Sequence, residues 1–375
     1  MNIPVFDLHC DTALALLGET VNEAGSLKKN TFHIDLERAA RLGGYCQCFA
    51  CYTTPMMQER FGISPVLVFE RELATIQREV EKNKRLIRLA YTAEEVEANR
   101  EAGKMSAILT IEGPAGFDFD PELLENLHQV GFRISTLGWN EENVLTGSNV
   151  TGGGLTEKGR AYVREAQRVG ILVDVSHISD EGFWDIMDMT QAPVVASHSN
   201  SRALCGHSRN LTDDMFRAIC RTGGVAGINQ YADFLGESPT LDTVCDHILH
   251  FLELDPDGTH IALGGDLDGC STFAQGFTGI ESYPALADCL LQRGAGETLV
   301  RNIFWNNALS VLGRAQKKGK GGALWRCTPS EICICAWAHQ SPWIYSAAPG
   351  WAIWRSCAGA YPSSGRRIPP CSWAT

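Results

Sequence analysis

The stretch Val5-Phe6-Asp7-Leu8-His9-Cys10-Asp11 decides how the chain is read. It is a short apolar run that ends by delivering an imidazole and a carboxylate. If Phe6 to His9 is extended, His9 and Asp11 project to one side, because side chains along a strand alternate with a period of two. A polar strand end entering a loop explains one such pair equally well, so recurrence has to decide. Short β-branched or apolar runs fall at 3–8, 44–51, 105–111, 132–137, 170–175, 193–196, 224–229 and 260–264. Stretches with helical spacing lie between and after them, at 35–42, 66–88, 93–102, 121–129, 157–169, 181–187, 213–221, 241–252, 281–291 and 297–312. Strands alternating with helices of this length predict a parallel sheet with right-handed crossovers. Eight such units predict a closed (β/α)8 TIM barrel, an α/β fold, over residues 1–313. A doubly wound sheet would need a glycine-rich turn after an early strand. No GxGxxG follows any of the runs, and Gly152-Gly153-Gly154 follows a loop.

The polar residues collect at one end of these runs. His9 and Asp11 close the first, Glu112 the third, Trp139 and Asn140 the fourth, His177 the fifth, His198 the sixth, and Asp266 and Asp268 the last. In a barrel the C-terminal ends of the strands converge on one face, where chemistry is built. His9, Asp11, Glu112, His177 and His198 together suit a borderline divalent ion such as zinc rather than Ca²⁺ or Mg²⁺, which favour all-oxygen shells. Five ligands exceed the need of one catalytic zinc with an open position, but they serve two ions if a carboxylate bridges. Glu112 is the expected bridge, with His9 and Asp11 on one side and His177 and His198 on the other. Such a centre can hold a hydroxide between the ions and polarise a carbonyl. Asp266 follows Gly264-Gly265 and is expected to move a proton from that water to a leaving amine, with Asp268 as its competitor. Capping of helix starts remains an alternative for His177 and His198. The remaining histidines are read as surface or structural.

Composition sets the outer limits. The 375 residues carry a net charge of −12, which offers nucleic acid or anionic lipid no basic surface. No run of transmembrane length occurs, and the N-terminus lacks the layout of an export signal. A cytoplasmic protein with no nucleic-acid or membrane partner is expected. Most cysteines within 1–313 sit in or beside apolar segments, as buried thiols do. Cys46, Cys48 and Cys51 suggest a soft-metal site only weakly, because no second pair stands at zinc-finger spacing.

The segments FDLHCDT, LTIEGP, VDVSHISDEGFWD, PVVASHSNSRALCGHSRNLTDD and IALGGDLDG resemble the membrane dipeptidase (renal dipeptidase) family of zinc peptidases, amidohydrolase-like barrels, over about residues 3–313. Five dispersed motifs in the right order are far more specific than any one of them. The resemblance implies two zinc ions per chain, a homodimer, and hydrolysis of dipeptides with free termini, including those with a C-terminal D-residue, by attack of a metal-bridging hydroxide. It places the zinc ligands on His9, Asp11, Glu112, His177 and His198, the catalytic Asp on Asp266, and the grip on the substrate carboxylate on Arg209. A guanidinium suits that task because it meets a carboxylate bidentately. The chain is similar to the shorter bacterial, intracellular members. One departure stands out: Trp139 occupies the place of a His that lies near the substrate carbonyl in mammalian members. Either Trp139 shapes the pocket wall while Asn140 or a zinc ion steadies the oxyanion, or turnover is weaker. Two other readings compete. One is another binuclear-metal amidohydrolase (a deaminase, cyclic amidase or β-lactam hydrolase). The other is a non-catalytic metal-binding barrel, for which a proton shuttle and a carboxylate clamp would be superfluous.

After Gly313 the composition breaks. Residues 315–375 hold one acidic residue, Glu331, yet six of nine tryptophans and five of fourteen cysteines. A disordered tail would avoid aromatics. The segment 314–375 therefore reads as a frameshifted or read-through extension rather than an evolved part of the fold, with a small accessory subdomain packed on the barrel as the alternative.

Overall fold

The computed structural model describes residues 2–318. Its strands are β1 (Val5–Cys10), β2 (Tyr45–Tyr52), β3 (Ile87–Leu89), β4 (Met105–Glu112), β5 (Phe132–Thr136), β6 (Leu172–Asp174), β7 (Val194–Ala196), β8 (Val225–Ile228) and β9 (Ile261–Leu263). All pair in parallel, in the order β2-β1-β9-β8-β7-β6-β5-β4-β3, and a further pairing of β2 with β4 closes eight of them into a ring. The expected TIM barrel is present, with helices in the crossovers.

β3 is the strand that periodicity missed. It lies outside the ring, paired with Met105–Ala107 at the start of β4. The helical spacing read over 66–88 runs straight through it. In the structure the helix Pro65–Lys82 ends where the Asn83 carboxamide bonds the Glu79 carbonyl. A three-residue strand with an exposed centre, Arg88, is too short to register as an alternation. Other helix starts follow from local chemistry. Thr92, Thr156, Ser179 and Thr212 each accept a bond from a first-turn N–H, which contributes about 1 kcal/mol per cap.

One core cluster draws Phe6, Leu8, Cys46, Cys48, Ile108, Ile134, Leu172, Val195, Val225 and Ala262 from all eight ring strands. Trp305, Ala308, Val311, Leu312 and Ala315 join it from the end of the chain's helical region. That region is a helix, Glu297–Arg301, a π-helical turn, Asn302–Asn306, and a second helix, Asn307–Lys318, rather than one uninterrupted helix. The strand residues of the cluster come mostly from the first halves of their strands, so the last helix closes the barrel at the end opposite the polar strand ends. This helix continues past the expected boundary at Gly313, and Ala315 is buried. From residue 319 on, the expected extension lies outside the described residues. Among the described residues no helix is long and apolar enough to cross a membrane.

Candidate metal centre and substrate site

β1 does not run regularly into the site. It pairs with β2 through Asp7 opposite Gln47, and then Cys10 lies opposite Phe49, so three steps on one strand match two on the other. This bulge re-aims the strand end. It is held by the Asp7 carboxylate, which accepts bonds from the His9 and Gly265 amides and from the Tyr283 hydroxyl. Asp11 lies beyond the strand, at the start of the helical turn Thr12–Ala15. His9 and Asp11 still converge as expected, with His9 Nε2 3.4 Å from Asp11 Oδ2.

Glu112 ends β4 and faces both halves of the site. Its Oε2 lies 3.3 Å from His9 Nε2 and its Oε1 lies 3.0 Å from His177 Nε2. His198 Nε2 lies 2.9 Å from His177 Nε2, and the His198 ring stacks on that of His9 at 3.8 Å between centroids. Ligand atoms of His9, Glu112 and His198 fall within 4.8 Å of one another, as do those of His9, Asp11 and Asp266. All five residues expected as ligands are brought together, along with Asp266.

The surrounding hydrogen bonds test whether a cation fits. Asn140 Oδ1 lies 2.9 Å from His177 Nδ1, and a carboxamide oxygen only accepts, so His177 carries its proton on Nδ1. Ser197 Oγ donates to the Asp174 carboxylate and lies 2.7 Å from His198 Nδ1, so it accepts the His198 proton. Both Nε2 atoms therefore present lone pairs, 2.9 Å apart and beside a carboxylate oxygen. Lone pairs aimed at each other in a buried site repel unless a cation lies among them. His9 Nε2, also buried, has no hydrogen-bond partner among the described residues. The donor set fits a divalent metal.

Electrostatics agree. Burial, then the Arg209 and His9 charges, hold His177 well below the usual imidazole range, and His198 is lowered likewise by burial, His9 and Arg209. Burial and the Asp11 charge push the Glu112 carboxyl up to about 8. Burial opposes protonation of His9, but Glu112 and Asp11 together carry it well above the ordinary value. Carboxylates crowded into a dry site call for a cationic partner.

Asp266 and Asp268 separate cleanly. Asp266 Oδ1 is 3.9 Å from His9 Nε2, and its Oδ2 accepts from Asn229 Nδ2 at 3.0 Å. Asp268 turns away to Thr12 Oγ1 at 2.6 Å and the His33 amide at 2.7 Å, a structural role. His177, Asp266 and Asp268 all have left-handed backbone, φ 72°, 57° and 69°. Such conformations cost about 1–3 kcal/mol and cluster at functional sites. A Cβ at Gly264 would collide with the Ser197 carbonyl, just past β7, and come within 3.3 Å of the His198 Cα, so the glycine lets the end of β9 approach the segment that carries His198. Gly269 also meets the site, where a Cβ would overlap the Asp11 carboxylate.

Arg209 is 5 % exposed, with its guanidinium carbon 5.3 Å from the Phe234 ring centroid. Its bonds to Ser199 Oγ and the His198 carbonyl are both long, at 3.4 Å, and its Nε has no partner among the described residues. A buried guanidinium held this loosely can accept an anion. Trp139 is half-buried, 5.3 Å from the Tyr52 ring and 6.3 Å from His177 by centroids, as a wall residue should be. Asn140, expected to meet substrate, gives its carboxamide oxygen to His177, and that bond leaves its Nδ2 donor free. Cys46 and Cys48 belong to the barrel core, and burial pushes both thiols well up, so the soft-metal alternative finds no support there.

Sequence reading missed Asn229, the Asp174–Ser197 pair and Tyr52. Asn229 and Tyr52 stand at the ends of β8 and β2, the two ring strands whose ends had been given no role. Position alone could have found them. The Asp174–Ser197 pair shows only in three dimensions.

A sequence model of the family described as membrane dipeptidase (peptidase family M19) matches residues 1–323. A dipeptidase of Clonostachys rogersoniana is 29% identical over 329 residues, covering 83% of this chain and 84% of its own. An uncharacterized dipeptidase of Schizosaccharomyces pombe is 35% identical over 214 residues, 55% of this chain, and the match spans about half, 52%, of that relative. Among solved structures, the fold is similar to a metallopeptidase from Rhodobacter sphaeroides liganded with a phosphinate mimic of the dipeptide L-Ala-D-Ala. The TM-score is 0.74 at 28% identity, covering 84% of this chain and 100% of that one.

Proposed function

The chain belongs to the membrane dipeptidase family, peptidase family M19, and from that premise we propose that it is a metal-dependent dipeptidase acting on dipeptides with both termini free. The observation that carries the reading is Glu112, whose two carboxylate oxygens face different imidazoles, 3.3 Å from His9 and 3.0 Å from His177. In this reading His9, Asp11 and Glu112 hold one ion, and Glu112, His177 and His198 hold a second. Two zinc ions, the metal that best suits these donors, would supply Lewis acidity for activating water and polarising a carbonyl.

The chain's own residues do the rest. Arg209 grips the substrate's terminal carboxylate, with Phe234 under its guanidinium. Asp266, fixed by Asn229, stands beside the reacting centre to carry a proton to the departing amine. Trp139 forms the wall next to His177. A D-residue at the C-terminal position belongs to this proposal, in keeping with the ligand of the Rhodobacter sphaeroides structure. So do a homodimeric state, which the family resemblance implies, and a cytoplasmic location.

The test is a hydrolysis screen of L-L, L-D and D-L dipeptides with added Zn²⁺, beside their N-blocked and amidated forms. Turnover of free dipeptides is expected, with amidation costing far more in the native protein than in Arg209→Met. Turnover confined to N-blocked or cyclic amides would transfer the protein to another class of barrel amidohydrolase. Full zinc loading with no turnover at all would make it a binding protein.

A further inference from the structure

Tyr52 ends β2 directly opposite Glu112, its Cα partner in the β2–β4 ladder. The residue is 5 % exposed. Its ring lies edge-on to Trp139 at 5.3 Å and packs in a cluster with Leu17, Val21, Met57 and Val68. The hydroxyl is buried and has no hydrogen-bond partner among the described residues. Leaving a phenol O–H unpaired in a dry environment costs about 1–3 kcal/mol, and native structures rarely tolerate it without a use. A phenol O–H is protonated at neutral pH in the ordinary case, so it can serve as a neutral donor.

We infer that the Tyr52 hydroxyl donates a hydrogen bond to the carbonyl oxygen of the scissile peptide bond. Three placements converge on this. Asn140 is anchored to His177 through its carboxamide oxygen, on the opposite side of β4 from β2. Trp139 offers a single N–H and serves as the surface against which Tyr52 is braced. Arg209, which follows β7, stands across the mouth, because β7 is four places from β2 around the eight-strand ring. The far carboxylate therefore lies on the Arg209 side, while Tyr52 flanks the reacting bond beside Glu112. The phenol keeps its proton throughout. Its bond strengthens as charge develops on the carbonyl oxygen, which is where a fixed donor contributes most to rate.

The inference rests on the dipeptidase reading, and one comparison separates the two. Native protein and Tyr52→Phe are measured for kcat and KM on a dipeptide, for inhibition by a phosphinate dipeptide mimic, for zinc content and for Tm. The variant keeps the ring, so zinc content and Tm should hold. The expected result is a fall in kcat of roughly 10²-fold with little change in KM, and a matching loss of phosphinate affinity. Unchanged kcat, a loss confined to KM, or a fall in kcat traced to lost zinc would overturn the role of Tyr52 and leave the dipeptidase reading standing. A native protein that turns over no dipeptide overturns both.

Discussion

Asp174 never reaches the mouth of the barrel, yet it governs what His198 can do there. It ends β6, and its carboxylate accepts from the Ser176 and Ser197 amides at 3.0 and 2.9 Å as well as from the Ser197 hydroxyl. That last bond forces Ser197 to accept from His198, which fixes the tautomer. Asp174→Asn should therefore weaken metal affinity by about 10–100-fold, the usual effect of losing a partner behind a histidine ligand, while the barrel still folds. Competition with a zinc indicator measures this, and unchanged affinity would show that His198 needs no such support. The residues with charge or nucleophilic character, His9, Glu112, His177 and Asp266, were legible in the sequence because strand ends in a barrel share one face. Ser197 and Asp174 were not, since a serine and an aspartate in apolar runs look like any polar interruption.

At the scale of elements, the bulge in β1 and the last helix carry the most weight. The alternation argument brought His9 and Asp11 to one point, although the structure achieves this with a register slip and with Asp11 beyond the strand. Periodicity read the long helices well, as at Glu157–Val169, and failed at β3, where three residues are too few to show a period. The helix Asn307–Lys318 matters for stability rather than chemistry, because Val311, Leu312 and Ala315 fill the barrel end opposite the site. Ala315→Asp places a charge in that apolar plug. It should cost on the order of 3 kcal/mol, read as a lowered denaturation midpoint, with zinc stoichiometry intact in the folded fraction. An unchanged midpoint would mean that the helix end is dispensable to the barrel.

For the whole molecule, the metal centre and the fold are thermodynamically linked. Asp11, Glu112 and Asp266 crowd around His9 in a largely buried site, and without cations their repulsion opposes folding. Ions that bind only the folded barrel add stability in proportion to their affinity. Prolonged chelation should therefore lower Tm by several degrees and zinc should restore it. A Tm indifferent to chelator would argue that the carboxylates are neutralised by protons instead. The sequence by itself determined the barrel, the strand ends that carry chemistry and the family. Alternating strand and helix periods, together with five ordered motifs, are local patterns that survive in one dimension. Only the tertiary structure decided which Asp faces the site, that Asn140 serves a histidine, and that Tyr52 has an idle hydroxyl. Those are questions of orientation and partnership between residues far apart in the chain, and no spacing along it records which way a side chain turns once its neighbours are in place.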